Sequence, residues 1–222
     1  MLEIASESGT LIAERLPAFA VPCLRTLYLS VLVVAVSIFF GLVTLVAKSS
    51  PFALLRWPAE FYVWFIRGTP TLIQVYLVYF SLPVVGISLS AEVAGVLALG
   101  LSSGAYMCEI FRSGIQAIPK GQYESSLVIG LDPANGYLRI VFPQVLRIVL
   151  PAMTNEAIST LKSSSLLSLI TVYELTLHTK AVIAETFAPF EFYLVSTVIY
   201  LLLADLLARV SRYAERQYAW GD

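Results

Sequence analysis

Residues 26–47 carry no charged side chain, a run longer than the roughly 20 apolar residues a helix needs to cross a bilayer. Such a run leaves little choice of fold. Its backbone polar groups have to be satisfied internally, which within lipid means a helix. Lys48, Ser49, Ser50 and Pro51 end it with residues that break helical periodicity. Of the 222 residues, 58% are hydrophobic and 13% charged, which argues against a water-soluble globule. An all-α integral membrane protein is expected.

Five spans are expected within a single domain over 1–222, at about 24–47, 59–83, 91–111, 148–172 and 191–210, after an N-terminal segment 1–20. The second is interrupted by Arg67-Gly68-Thr69-Pro70. The third carries Gly100 and Gly104 with Ser103 between them, small residues that let helices approach closely. Between the third and fourth lies a polar stretch, the loop 112–147, with Arg112, Lys120, Glu124, Asp132, Arg139 and Arg147. Within it, Asp132-Pro133 reads as an N-cap followed by proline at the first helical position, the start of a short surface helix. Glu3, Glu7 and Glu14 precede the first base, Arg15. A secretory signal starts basic, so no cleaved signal is expected and the first helix stays as an anchor.

Five spans put the termini on opposite sides, and basic residues choose which. With the N-terminus outside, Lys48, Arg56, Arg112, Lys120, Arg139, Arg147, Arg209, Arg212 and Arg216 are cytoplasmic or at that boundary. Only Arg15, Arg25 and Lys180 fall outside, while Arg67 and Lys162 lie within or near spans. The bias gives a periplasmic N-terminus, a cytoplasmic C-terminus and a cytoplasmic 112–147 stretch. Fourteen basic and fifteen acidic residues nearly cancel, which argues against a nucleic-acid partner. Cys23 and Cys108 sit in different apolar segments without metal-ligand spacing, so neither a structural disulfide nor a zinc site is expected.

The polar stretch carries a family signature. Glu124, then Gly130, then Ile140 and Phe142-Pro143 resemble the EAA loop of ABC-importer permeases, in which EAA is followed by three residues, Gly, nine residues, Ile, one residue, Leu and Pro. Ser125 and Ser126 stand for the two alanines and Phe142 for the leucine. Serine is small enough to keep the same close packing. Phe65-Ile66-Arg67-Gly68-Thr69-Pro70, Gln74 and Tyr79-Phe80 resemble the second span of the polar amino-acid permeases. So do Gly104-Ala105-Tyr106, Glu109-Ile110-Phe111-Arg112, Gly114-Ile115-Gln116 and Ile118-Pro119-Lys120-Gly121-Gln122. Leu161-Lys162, Ser165-Leu166 and Glu174-Leu175 extend the likeness through the fourth span.

The resemblance implies a multi-pass permease subunit of the bacterial inner membrane, moving an amino acid or a close derivative into the cytoplasm. Its partners would be a second permease, identical or homologous, a dimer of cytoplasmic ATPases and a periplasmic substrate-binding protein. ATP and Mg would bind the ATPase, with no cofactor in this chain. The chain has no Gly-x-x-x-x-Gly-Lys-Ser/Thr phosphate loop. The coupling helix would run from about Gln122 to Ile129 and seat Tyr123, Leu127 and Ile129 in the ATPase. Gly121, Glu124, Ser125, Ser126, Asp132 and Ile140 complete the coupling set. Gly130 would end that helix in the left-handed conformation, and Pro143 would start a fresh one.

Polar residues at membrane depth point to a passage. The candidates are Thr69, Thr71 and Gln74 on the second span, Tyr106 and Glu109 on the third, and Lys162, Ser163, Ser164 and Ser165 on the fourth. Arg67, Glu109 and Lys162 have a second reading, as boundary charges that snorkel or pair with one another. Related permeases often carry an acidic residue where Ser163 stands, so a cationic cargo is not implied. His178 has no nucleophile or metal cluster beside it and reads as structural. Glu60 and Asp205 read as helix-end or interhelical groups, and Tyr76, Tyr79 and Phe80 as interface anchors. Three rival functions stay open: an ion-driven secondary transporter, which would show repeated broken helices, a membrane enzyme, and a membrane sensor built from the same parts.

Overall fold

The computed structural model describes residues 2–218, with side chains described for 9–213 and 215. Glu3, Glu7 and Arg216 lie outside the described side chains. The first span is longer than its charge-free run. Helix α1 (Leu2–Arg15) passes through a 3-10 turn at Leu16–Phe19 into α2 (Ala20–Lys48), so Gly9–Lys48 is one 40-residue helical run. Hydroxyls along it donate to the preceding turn, Thr26 to Pro22 O at 3.0 Å and Ser30 to Thr26 O at 2.7 Å. Polar side chains are thereby satisfied without water.

The expected second span is two helices set at 115°. Helix α3 (Ala53–Gly68) stops because Thr69 and Pro70 are extended, at φ −119°, ψ 148° and φ −64°, ψ 132°. The residue before a proline is driven out of the helical region, and proline has no N–H to continue the ladder. Helix α4 (Thr71–Tyr76) resumes the chain and runs through a π turn, Leu77–Ser81, to the left-handed Gly86 at φ 87°. Gln74 braces the bend. Its side-chain amide donates to Ile66 O at 2.8 Å and Thr69 O at 3.1 Å, carbonyls at the break in the helical ladder.

Helix α5 (Ala91–Gln116) is the hub, packed against α2, α3, α4 and the later α8 (Phe142–Ser163). Ser90 caps it by accepting from Val93 N–H at 3.3 Å. Its most apolar stretch is 67% buried, against 17% for α10 (Pro189–Tyr218), which makes it central and α10 peripheral. Glycines set the α2–α5 spacing. A Cβ on Gly41 would lie 2.7 Å from Met107 Cβ, and one on Gly104 would lie 3.0 Å from Phe40 Cβ. The packing expected of Gly100 and Gly104 is what these helices use.

The stretch 112–147 is mostly helix, including the two short helices expected near 122–129 and from Asp132-Pro133. Helix α5 runs five residues past the expected end, to Gln116, and α6 (Lys120–Val128) follows. Asp132 caps α7 (Pro133–Gly136), which continues through a π turn at Tyr137–Val141 into α8. The short surface helix and the fourth span are therefore one helical run, Pro133–Ile170. Pro143 lies in the first turn of α8, as expected, but the π turn before it joins α8 to α7 without a break. The π turn just before it rearranges the backbone bonding where the ring removes a donor. After the left-handed Thr171 at φ 66°, an additional helix, α9 (Leu175–Thr186), precedes α10. Among the described residues, four helices are long and apolar enough to span a membrane, five if the bent pair counts as one. Large apolar side chains such as Leu54, Trp57, Trp64, Leu201 and Leu202 lie exposed, the surface lipid covers.

Candidate functional site

Helices α5 and α8 face each other across a cavity of about 240 Å³. Each lines it with the same spacing, a single helical face at i, i+3, i+4 and i+7. From α5 come Leu99, Ser102, Ser103 and Tyr106, from α8 Glu156, Ser159, Thr160 and Ser163, and Thr71 closes one side at the start of α4. Ser103 Oγ donates to Glu156 Oε1 at 2.6 Å and lies 3.1 Å from Thr160 Oγ1. Thr71 Oγ1 and Ser102 Oγ are 3.4 Å apart. Among the described residues no Lys, Arg or His pairs with Glu156, and none lines the cavity. The cavity is a ring of hydroxyls around one acid.

Three of the sequence candidates, Thr71, Tyr106 and Ser163, meet there. Ser164 and Ser165 instead donate to their own helix, to Leu161 O and Lys162 O at 2.7 and 2.8 Å. Lys162 is exposed. Thr69 bonds Phe65 O at 2.9 Å and receives from Gln74, so both serve the bend. Glu109 lies outside this cavity. Its Oε1 receives from Lys48 Nζ at 2.5 Å, its Oε2 from Arg112 at 2.7 and 3.0 Å, and Arg67 stands 3.9 Å away. Of the boundary charges, Arg67 and Glu109 pair while Lys162 stays apart.

Glu156, Ser102, Ser159 and Thr160 were not among the candidates. The signal was present. Glu156 is an acid inside the fourth apolar segment, one helical face away from Ser163, and tracing that face back reaches all of the α8 lining.

The α6–α7 unit is tightly specified. Gly130 sits at φ 84°. Leu131 N–H bonds Ser126 O at 3.1 Å and Gly130 N–H bonds Leu127 O at 3.0 Å, the two bonds of a Schellman ending. Asp132 accepts from Ala134 and Asn135 N–H, each at 3.1 Å. The Asn135 side chain first, then these backbone donors, hold its carboxyl below the usual carboxylate range. Ser126 is fully buried against Gly136, where a Cβ would collide with the Ser126 hydroxyl. Tyr123, expected on an outward docking face, turns inward and packs on the cluster of Met107, Phe111, Val141, Val145 and Val149. Packing there removes part of the ring from water. The outward apolar residues are Leu127, Val128 and Ile129. Gly121, Glu124, Ser125, Pro143 and Phe142 are also exposed, while Ile140 is half-buried.

At the opposite end, Glu174 is buried and caps α9, accepting from Leu177 and Thr176 N–H at 2.8 and 2.9 Å and from the Tyr200 hydroxyl at 3.0 Å. His178 packs edge-on against Phe19 at 4.6 Å, with Nδ1 2.8 Å from the Tyr173 hydroxyl. Burial pushes its pKa down. No group of three or more metal-ligating side chains occurs among the described residues.

The family described as binding-protein-dependent transport system inner membrane component matches residues 34–218. The chain is 37% identical over 179 residues to a probable amino-acid ABC transporter permease protein, YckA, of Bacillus subtilis (strain 168), covering 81% of this chain and 79% of that protein. It is 33% identical to the L-cystine transport system permease protein TcyB of the same organism, covering 86% and 82%. Among solved structures it superposes on an amino acid ABC transporter, crystallised with histidines, with a TM-score of 0.85 at 33% identity, over 93% and 96% of the two chains. The methionine ABC transporter MetNI shares the fold, with a TM-score of 0.70 at 19% identity over 91% and 99%. The chain therefore belongs to the family of binding-protein-dependent transport system inner membrane components and is a multi-pass permease subunit of an ABC-type importer.

Proposed function

We propose that this permease carries an amino acid or close derivative into the cytoplasm, through the cavity between α5 and α8. The observation that carries this reading is Glu156, an acid facing a hydroxyl-lined cavity with no cation beside it. An intramembrane acid without an internal cation is suited to a ligand's ammonium. The hydroxyls of Thr71, Ser102, Ser159 and Ser163 supply donors for a carboxylate. A cavity of about 240 Å³ falls below the roughly 300–1,000 Å³ of drug-sized sites and suits one small polar molecule. The relatives' amino-acid cargo, as their names give it, points the same way.

In this reading the described residues act as one transmembrane unit with the N-terminus periplasmic and the α6–α7 unit in the cytoplasm. The exposed Leu127, Val128 and Ile129, held by the Gly130 ending and the Ser126–Gly136 contact, dock on a partner ATPase. ATP and Mg belong to that ATPase. A second permease and a periplasmic binding protein complete the importer, and alternating access moves the cargo.

The test is uptake into vesicles with the binding protein held constant. Glu156→Ala should lower the uptake rate by about tenfold or more, from loss of a charge-assisted hydrogen bond worth roughly 1.5–3 kcal/mol, while binding-protein-stimulated ATP hydrolysis persists. Wild-type uptake in that variant contradicts the assignment of the cavity.

A further inference from the structure

A second cavity, of about 460 Å³, opens beside the first and is walled by Lys48, Glu60, Trp64, Arg67 and Glu109. Tyr106 is the residue that lines both. Its ring lies beneath the Arg67 guanidinium, whose Cζ is 5.5 Å from the ring centroid. Tyr106 and Glu109 are one turn apart on α5, and Arg67 reaches both from α3, with Nη1 3.9 Å from Glu109 Oε2. Glu109 is held firmly by Lys48 and Arg112, at 2.5 and 2.7 Å. The Arg67 contacts are the loose ones. Arg67 also stands immediately before Gly68-Thr69-Pro70, where the helix axis turns by 115°. A change in that bend moves Arg67 relative to α5.

We infer that Tyr106, steadied by Arg67, is the partition between the transit cavity and the second cavity, and that swinging Arg67 away at the α3–α4 bend opens the first cavity toward the cytoplasm. The inference rests on the reading of the first cavity as the transit site. Glu109 is the fixed post, Arg67 the latch and Tyr106 the door.

The test reads access to the cavity rather than cargo. Ser163→Cys is introduced into the full chain with Cys23→Ser and Cys108→Ala, assembled with its ATPase and partner permease in inside-out vesicles. A membrane-impermeant charged maleimide reports how fast the cavity thiol is labelled from the cytoplasmic face. Tyr106→Ala and Arg67→Gln should each raise that rate about two- to fivefold, the population shift given by losing a half-exposed cation–π contact. Tyr106→Phe, which keeps the ring, should label at the parental rate. Equal rates for the Ala and parental proteins, in complexes shown to be assembled, would overturn the gate. So would equal acceleration by Phe and Ala, or acceleration seen only from the periplasmic face. Failure to transport any amino acid, with the labelling pattern intact, would remove the cargo assignment and leave the gate standing.

Discussion

Ser103 on α5 donates to Glu156 on α8 across 2.6 Å, and Ser163 lies two turns along the same α8 face. The bond fixes one carboxylate oxygen and leaves the other side of the acid toward the cavity. Ser163 faces that cavity while Ser165 bonds its own helix. Ser163→Ala should therefore change uptake kinetics, by about tenfold or more for loss of one hydrogen bond to a carboxylate, worth roughly 1.5–3 kcal/mol. Ser165→Ala should leave them near wild type. Initial-rate uptake across cargo concentrations separates the two, and equal effects of both variants would mean that Ser163 has no special place.

Gly130 has open space around it, so its constraint is the backbone alone. Gly130→Val places a β-branched residue at φ 84°, at a strain of roughly 1–2 kcal/mol. Uptake should fall while membrane insertion and basal ATP hydrolysis remain. Gly130→Asn, which tolerates the left-handed region, should retain most coupling. Comparing ATP hydrolysed per cargo molecule in the three proteins checks this, and full coupling in the Val variant would refute the role given to the helix ending.

Gly136 is limited by a neighbour rather than by its backbone, since its Cβ would strike the buried Ser126. Gly136→Ala should destabilise the α6–α7 unit by roughly 1–3 kcal/mol through overpacking and weaken retention of the ATPase. Adding Ser126→Ala removes the oxygen that is struck and should restore part of the loss. Thermal unfolding and co-purification of the ATPase measure both. Additive losses in the double variant would rule out direct contact as the cause.

His178 is buried against Phe19 and Tyr173, and its pKa is lowered by burial, with Glu185 opposing that shift. A lowered folded pKa means that neutral imidazole is the form the fold accepts. Its stability contribution is complete above the ordinary imidazole pKa of about 6.5 and is lost as pH falls through the lower folded value. Melting temperature should thus drop on acidification from pH 7 to 5, and the drop should shrink in His178→Gln. An identical drop in both proteins would exclude His178 as its source.

How much could be read beforehand depended on how locally each feature is encoded. The charge-free run at 26–47 and the glycine pair at 100 and 104 state their structure outright, because lipid and close packing act on composition alone. Thr69-Pro70 announced an interruption, but not its 115° angle, which depends on how Gln74 rejoins the two helices. Asp132-Pro133 marked a helix start correctly. Where that helix would end was hidden, because a π turn carries it past Pro143 into the membrane. Helix α9 leaves little trace in the sequence, since it is short and its polar residues are satisfied by tertiary partners such as Tyr200 and Ser196. Glu156 stands out little in the sequence, as one charge in a long apolar segment, although its spacing from Ser163 places it on the same helical face. The half-buried packing of Tyr123 is not legible in the sequence because α6 has almost no apolar asymmetry to orient it, and the cluster it meets comes from other elements.

The central claim is that this chain is the membrane passage of an amino-acid importer driven by a partner ATPase. Its most direct test is uptake of labelled amino acids by proteoliposomes containing the chain, the ATPase and any second permease encoded beside it, with the neighbouring binding protein outside. Accumulation should require both ATP and the binding protein, and Glu156→Ala should sharply reduce it. Accumulation without ATP that an ionophore abolishes, or no stimulation of ATP hydrolysis by the binding protein in an assembled complex, would contradict that claim.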